Sequence, residues 1–355
     1  MNEKRKYYDV PKLCSYNAEI NGVFGSRSIG KTYGLLKQCI QDWLKRGEQF
    51  GYVRRYQSEL EIVRDNILDD VMQEFPDYET KRIKSTYYIR KRVVDDKKQN
   101  KWQVIGHMFA ASKHGDYKGT AYPYIRRIIW DEYIREIGAV PGYLPNDMQA
   151  LFSIYTTISR YRENVSMYLL GNTCNLMMPL FLFLNINEEP KSGVTQFRKR
   201  VNIDGEMKQV RFLIDYVKDG ELIDQVKKST FGALVSGSEE EQVIINAEFS
   251  NGGKLFIEKK TAVSKFHYGF SFKNKRYGVW CDLNEGKWYI NKKIPSDGVM
   301  FALTAKDMRP NLMLIEQATP FLKNLRRLYG YGMVFFDSPN TREGFIDLIR
   351  MIGLR

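Results

Sequence analysis

Hydrophobic positions along the first half of the chain alternate between two periods. Residues 18–24, Ala-Glu-Ile-Asn-Gly-Val-Phe, form a short run suited to a strand. Residues 33–44 place Leu36, Cys39, Ile40, Trp43 and Leu44 on one stripe at helical spacing. A strand is predicted at 51–56, and a helix over 59–75, closed by Pro76. Residues 87–94 and 102–110 read as a hairpin across the charged turn 95–101. Another strand, 127–130, runs into two carboxylates; a helix over 146–159 and a strand over 166–172 follow. This alternation predicts an α/β sheet domain over residues 1–190.

The pattern changes near Glu188-Glu-Pro-Lys-Ser-Gly193. A short strand at 209–217, a helical segment and the polar stretch 236–242 read as a connecting module over 191–245. From 246 to 355 an α+β domain is predicted, with strands at 254–259, 266–272, 277–282 and 287–291. Asn274-Lys-Arg and Asn284-Glu-Gly supply its hairpin turns, and helices over 320–328 and 341–351 complete it.

Composition narrows the picture. With 355 residues and 43% hydrophobic content, the chain can bury a sizeable core in two domains. Its formal charge is +13, and residues 246–355 hold 18 Lys+Arg against 10 Asp+Glu, so most of the surplus lies there. A polyanionic partner is expected, with the C-terminal module as its surface. No apolar stretch approaches the roughly 18 residues of a membrane span; residues 176–184 are short and contain Pro179. The N-terminus is charged without the apolar core of a signal peptide. Cys14, Cys39, Cys174 and Cys281 are scattered and only three histidines occur, which argues against a zinc site or disulfide frame and for a reduced cytoplasmic protein.

The chemistry is concentrated in two places. Residues 25–32, Gly25-Ser26-Arg27-Ser28-Ile29-Gly30-Lys31-Thr32, spell G-x-x-x-x-G-K-[ST] between the predicted strand and helix. That arrangement aims backbone N–H groups and a helix N-terminus at a polyphosphate. Gly25 and Gly30 permit the tight loop, Lys31 neutralises the β- and γ-phosphates, and Thr32 offers its hydroxyl to Mg²⁺. About a hundred residues later the strand 127–130 ends in Asp131 and Glu132. Asp131 is placed to hold the metal's hydration shell, and Glu132 to act as general base on water. The long gap leaves space for an extra strand between the two motif strands, the layout of triphosphatases carrying a catalytic glutamate. Neither N-K-x-D nor S-A-K, the guanine-reading motifs, occurs, so ATP with Mg²⁺ is the expected ligand.

Several stretches resemble one family. Gly47-Glu-Gln-Phe-Gly-Tyr-Val-Arg-Arg-Tyr56, the loop 25–32, Asp131-Glu-Tyr-Ile-Arg-Glu136, Tyr143-Leu-Pro-Asn146 and Gly278-Val-Trp-Cys-Asp-Leu-Asn-Glu-Gly286 are together similar to the DNA-packaging ATPases of phi29-like podoviruses. The resemblance implies an ASCE-type P-loop ATPase domain and an RNase H-like C-terminal domain that has lost nuclease activity. It also implies a homopentameric ring at the portal vertex of an empty capsid in the host cytoplasm, driving double-stranded DNA inward; a packaging RNA is a further candidate partner. Arg160 falls where the family places a trans-acting arginine finger, with Arg162 as the close rival. Lys118 matches a lysine that also crosses the interface, and Arg54 an arginine near the nucleotide; Asn172 is placed to sense the γ-phosphate. Residues 55–58 and 135–143 are the expected DNA-facing elements, although Gln57 stands where the family has a lysine. Asp282 occupies the position of the first acidic residue of an RNase H-like site, and Asp337 is a further carboxylate without support. A terminase-like protein with an active metal-dependent nuclease, and a nucleotide-regulated nucleic-acid-binding scaffold, are the alternatives.

Overall fold

The computed structural model describes residues 7–26, 29–92, 100–135, 141–144, 146–160, 162–172, 178–184, 186, 191–203, 206–217, 224, 227–236, 256–313 and 315–351. Two compact units emerge, one from Met1–Cys174 with Pro190–Phe249, the other from Asn175–Glu189 with Ser250–Arg355.

The first unit is built on a nine-stranded sheet. Its strands, numbered in chain order, are β1 (Ile20–Gly25), β2 (Gln49–Arg54), β3 (Tyr78–Ile83), β4 (Thr86–Lys91), β5 (Gln103–Ala110), β6 (Ile125–Trp130), β7 (Ser166–Gly171), β8 (Gly193–Ile203) and β9 (Glu206–Val217). They lie in the order β3-β4-β5-β2-β6-β7-β1-β9-β8. From β5 through β9 every pairing is parallel, and β1 is buried along its whole length. Strands covered on both faces read as continuous rather than alternating apolar runs, which is how Ile128-Ile-Trp130 and Tyr168-Leu-Leu170 appear. The expected hairpin forms, with β4 antiparallel to β5, and β3 extends it.

Helices α1 (Val10–Ser15), α2 (Lys31–Arg46), α3 (Gln57–Val63), α4 (Asp69–Met72) and α5 (Asp147–Ser159) surround this sheet's core. Helix α2 buries Leu35, Leu36, Cys39 and Ile40, and it ends at Gly47 in the left-handed region.

Three expectations need correction here. A strand does separate the two motif strands, but it is β7, which follows the acidic pair in sequence; the intervening residues form β2 to β5 on the other side of β6. The helix expected over 59–75 is broken into α3 and α4, because Arg64-Asp-Asn66 turns out of the helix and the Tyr87 hydroxyl takes the Arg64 carbonyl. Finally, residues 193–217 of the expected connecting module complete the sheet. Strand β9 pairs with β1 and buries Phe212, Leu213, Ile214 and Tyr216, and β8 pairs with β9 over its full length. Strand β8 is an edge strand in which the run Arg198-Lys-Arg200 separates Phe197 from Val201, so its sequence shows no clean strand pattern. Residues 237–245 lie outside the described residues.

The second unit holds a five-stranded sheet of β10 (Lys265–Phe272), β11 (Lys275–Asp282), β12 (Lys287–Asn291), β13 (Met300–Ala302) and β14 (Val334–Phe336), in the order β13-β10-β11-β12-β14. Strands β10, β11 and β12 form an antiparallel meander, with β13 and β14 parallel at its two edges. Two shorter helices, α6 (Pro179–Leu184) and α7 (Thr230–Val235), precede this sheet in the chain. Helix α8 (Ile315–Gly330) and helix α9 (Pro339–Met351) pack Leu322, Leu325, Phe345 and Leu348 into its core. Of the strand expected at 254–259, residues 254 and 255 lie outside the described residues, and Ile257 makes only an isolated bridge to Phe336. Helix α8 starts ahead of Pro320, which sits inside it.

Candidate active site

Strand β1 delivers the phosphate-loop motif to the C-terminal edge of the parallel sheet. Gly25 is required by close approach: a Cβ there would lie 2.5 Å from the Val217 carbonyl oxygen of β9. Gly30 caps α2 at φ 81°, a left-handed conformation that costs glycine little. Ser26 and Ile29 are buried, and Arg27 and Ser28 lie outside the described residues. Helix α2 carries no acidic residue in its first turn, so its positive end is not neutralised by its own side chains. Lys31 opens the helix, and its Nζ donates to the carbonyls of Gly25 (3.1 Å) and Ser26 (2.6 Å), which holds the ammonium against the loop.

The acidic pair comes to the same place from β6. Thr32 Oγ1 donates to Asp131 Oδ1 at 3.0 Å, joining the two motifs across 99 residues of sequence. The other carboxylate oxygen of Asp131 accepts from the Tyr52 hydroxyl (2.8 Å) and lies 3.2 Å from an Arg54 nitrogen. Glu132 has φ 51°, unusual for a residue with a Cβ. Such backbone persists only where its surroundings enforce it; here the next amide, of Tyr133, donates to Leu170 O at 2.7 Å. The Glu132 carboxylate is more than half exposed and pairs with Arg54 at 2.6 Å. Burial works against the charge of Arg54, but Tyr52, Asp131 and Glu132 outweigh it and hold the guanidinium protonated. Asn172, just beyond β7, lines the same small cleft as Lys31, Thr32, Asp131 and Glu132.

Sequence reasoning missed the structural role of Arg55. Its side chain is 0% exposed, which corrects the expectation that it faces DNA. It grips both oxygens of Asp147 (2.8 and 3.1 Å) and donates to the carbonyls of Glu132 (3.3 Å) and Tyr133 (2.7 Å). The rings of Trp130, Tyr133 and Tyr143 enclose its guanidinium at 5.5, 5.5 and 4.9 Å. No local pattern links Arg55 to a carboxylate 92 residues away; the available signal was an acidic residue at the predicted start of α5. The neighbouring elements do meet: Tyr56 donates to Gly142 O, and Arg135 pairs with Glu59. Residues 136–140 of that loop lie outside the described residues.

Arg160, Arg162 and Lys118 gather elsewhere. They line a groove with Glu19, Tyr155 and Arg211, at the end of the sheet where β1, β7 and β9 begin. A six-residue strand separates that edge from the cleft by roughly 17–20 Å. Arg160 caps α5 at φ 42°, is exposed, and donates to the carbonyls of Gly119 and Thr120, both at 3.0 Å, beside Lys118. Arg162 is half-buried and more heavily engaged, donating to Ser159 O (3.0 Å), Tyr122 O (2.9 Å) and Pro123 O.

In the second unit, Asp282 Oδ1 accepts the amides of Asn284 (2.9 Å) and Glu285 (3.2 Å), closing the β11–β12 turn. A hydrogen bond from Thr261, aided by these amides, holds its carboxyl below the usual carboxylate range. Asp337 accepts from the Thr341 hydroxyl and the Lys292 amide.

A phosphate-loop motif between β1 and α2, with β7 inserted between the loop strand and the acidic strand, defines a P-loop nucleoside triphosphatase fold. The podovirus DNA encapsidation protein (Gp16) family matches residues 2–352, and the chain belongs to it. The DNA packaging protein of Bacillus phage phi29 is 32% identical over 356 residues, covering 99% of this chain and 100% of that protein. The DNA packaging protein of Bacillus phage B103 is 32% identical over 344 residues, 96% of this chain and 97% of the relative. Among solved structures, the bacteriophage phi29 viral genome packaging motor assembly matches with TM-score 0.71 and 30% identity, over 97% of this chain and 99% of that one. The Phi-28 gp11 DNA packaging motor shares the fold at TM-score 0.64 and 16% identity, over 98% of both chains. Among the described residues, no helix is long and apolar enough to cross a membrane.

Proposed function

We propose that the chain is the ATP-hydrolysing subunit of a ring that drives double-stranded DNA into an empty capsid at its portal. The observation that carries this reading is the convergence of Lys31, Thr32, Asp131, Glu132 and Asn172 on one cleft at the head of α2. Lys31 and the helix N-terminus hold the β- and γ-phosphates. Thr32 and Asp131 offer two hard oxygen donors 3.0 Å apart, a set that suits Mg²⁺ completed by phosphate oxygens and water. When bound, that ion neutralises charge on the β- and γ-phosphates. Glu132 takes the proton of the attacking water, and Asn172 orients the γ-phosphate. Arg54 binds the Glu132 carboxylate, so the base is engaged until that pair opens.

Arg160 cannot serve its own cleft from the opposite end of the sheet. It acts instead on ATP in a neighbouring subunit, with Lys118 beside it. Arg162, caged by carbonyls, shapes the turn and is not the finger. The phi29 structure that matches almost the whole chain is a packaging motor assembly, which supports a homomeric ring; the family resemblance implies a pentamer, with a packaging RNA as a candidate partner. The C-terminal unit is read as an RNase H-like domain in which Asp282 secures a hairpin.

The test mixes two inactive variants. Lys31→Ala loses the phosphate site, while Arg160→Ala binds ATP but hydrolyses it about 10³-fold or more slowly. In mixed rings, an intact Lys31 site can receive Arg160 from a Lys31→Ala neighbour, so DNA-stimulated ATPase activity returns. Rings shown to be mixed yet inactive reject the trans role. Wild-type turnover by Lys31→Ala rejects the phosphate site itself.

A further inference from the structure

The constellation around Lys31 accounts for a triphosphate and a metal ion and leaves the rest of the nucleotide to be held by other side chains. The acidic pair and Asn172 mark where the γ-phosphate lies, so the nucleoside departs from the loop's other flank, past Gly30 and the first turn of α2. Two aromatic rings stand there. Tyr33, the residue after Thr32, projects from the first turn of α2. Tyr7 reaches the same spot from the segment ahead of α1: a Cβ on Gly30 would lie 2.6 Å from the Tyr7 ring. The two rings are stacked, with centroids 5.5 Å apart and planes inclined by 23°.

The Tyr33 ring and the segment that carries Tyr7 are both anchored from behind. The Tyr33 hydroxyl donates to Glu74, which Lys37 also binds. Next to Tyr7, the Tyr8 amide donates to Ile29 O in the phosphate loop (3.0 Å), and its hydroxyl to Asp215 on β9 (2.6 Å). Tyr8 thus ties the N-terminal segment to the loop and to the sheet, while Tyr7 remains 46% exposed.

We propose that Tyr7 and Tyr33 form the nucleobase site of this ATPase, a purine ring lying on the face of Tyr33 with Tyr7 closing over it. The inference rests on the nucleotide-site reading above and adds the side chains that recognise the base. A flat base between two rings needs about 7 Å from ring to ring, twice a van der Waals contact of roughly 3.5 Å. The exposed Tyr7 ring therefore swings outward by about 1.5 Å while Tyr33 stays on its Glu74 anchor. Stacking on aromatic faces is tolerant of base identity, so this platform supplies affinity for the base rather than strict selection among purines.

The experiment compares ATP with inorganic tripolyphosphate, both with Mg²⁺, by calorimetry on the full-length protein. Tyr33→Ala and Tyr7→Ala should each weaken ATP by roughly 5- to 100-fold and leave tripolyphosphate binding unchanged. Tyr33→Phe, which keeps the ring and loses the Glu74 bond, should bind ATP like the parent. The proposal fails if ATP affinity is unchanged in both alanine variants, or if ATP and tripolyphosphate weaken together, since the rings would then only support the loop. It also fails if Tyr7→Ala tightens ATP binding, because Tyr7 would then be an obstacle to the base. Lys31→Ala separates the two readings: it should weaken both ligands, and if neither weakens, the phosphate site and not merely the base site is misplaced.

Discussion

Arg55 offers the sharpest test of how the strand that carries Glu132 is held. Arg55→Met removes the guanidinium from a fully buried site and leaves Asp147, itself 3% exposed, as an unpaired carboxylate. Breaking a buried pair on one side costs about 3–5 kcal/mol, because the remaining charge keeps its desolvation penalty. In a unit of this size each kcal/mol moves the melting temperature by about 2–4 °C, so a fall of roughly 6–20 °C is expected by scanning fluorimetry. The double variant Arg55→Met/Asp147→Leu should regain most of that loss, since an apolar pair in place of a buried ion pair is often neutral or stabilising. ATPase activity should not return with it, because the bond from Arg55 to the Glu132 carbonyl is still missing and neither Met nor Leu can donate one. A single variant melting within about 2 °C of the parent, less than the shift a 1 kcal/mol change gives, would show that the pair is not buried as described. A double variant with full turnover would remove Arg55 from the positioning of Glu132.

Two further outcomes follow. Glu132→Gln keeps the shape of the side chain and removes the base, so ATP should still bind while turnover falls about 10²–10⁴-fold; lost binding with unchanged turnover per bound ATP would make Glu132 a structural residue. Lys275 and Arg276, adjacent and exposed at the start of β11, belong to the basic C-terminal surface. Replacing both with Ala should weaken DNA binding without regard to sequence and flatten its salt dependence by about one unit of slope for each phosphate left without its cation, whereas an unchanged slope would place the DNA surface elsewhere.

The elements that position the cleft were legible because their signals are local. A short run suited to a strand, a glycine loop of fixed spacing and a stripe at helical period identify β1, the loop and α2 within about thirty residues. Asp131 and Glu132 were found from a run of apolar residues that stops abruptly at two carboxylates. What was not legible depends on partners distant in sequence. Strand β8 sets Arg198-Lys-Arg200 between Phe197 and Val201, which interrupts its strand pattern, and β13 and β14 are three residues each, too short to show a period. The break after Val63 is completed by a hydroxyl from β4. Arg55 looked like a surface cation in an Arg-Arg pair; only the fold brings Asp147 and three aromatic rings around it.

That same pairing bears on how cleft and groove belong to one machine. Residues 147–172 form a single path: it starts at Asp147, held by Arg55, runs along α5 to Arg160, and returns as β7 to Asn172. Its first residue is one side chain away from the Glu132 carbonyl, and its last lines the cleft. Arg160 sits at the turn between them. Helix α5 and strand β7 bury Leu151, Ile154, Ile158, Met167 and Leu169 almost completely, and interiors packed at that density shift as units rather than deform. A change at Glu132 therefore has a continuous packed route to Arg160 at the far end of the sheet. The Arg55→Met/Asp147→Leu variant, folded but cut at the first link of the path, separates stability from coupling. If Arg160 acts in trans as proposed, this variant mixed with Arg160→Ala partners should restore less turnover than a Lys31→Ala donor does, because its Arg160 is no longer tied to the strand that carries Glu132. If it restores as much, the route through Asp147 is dispensable and the two ends of the sheet work independently.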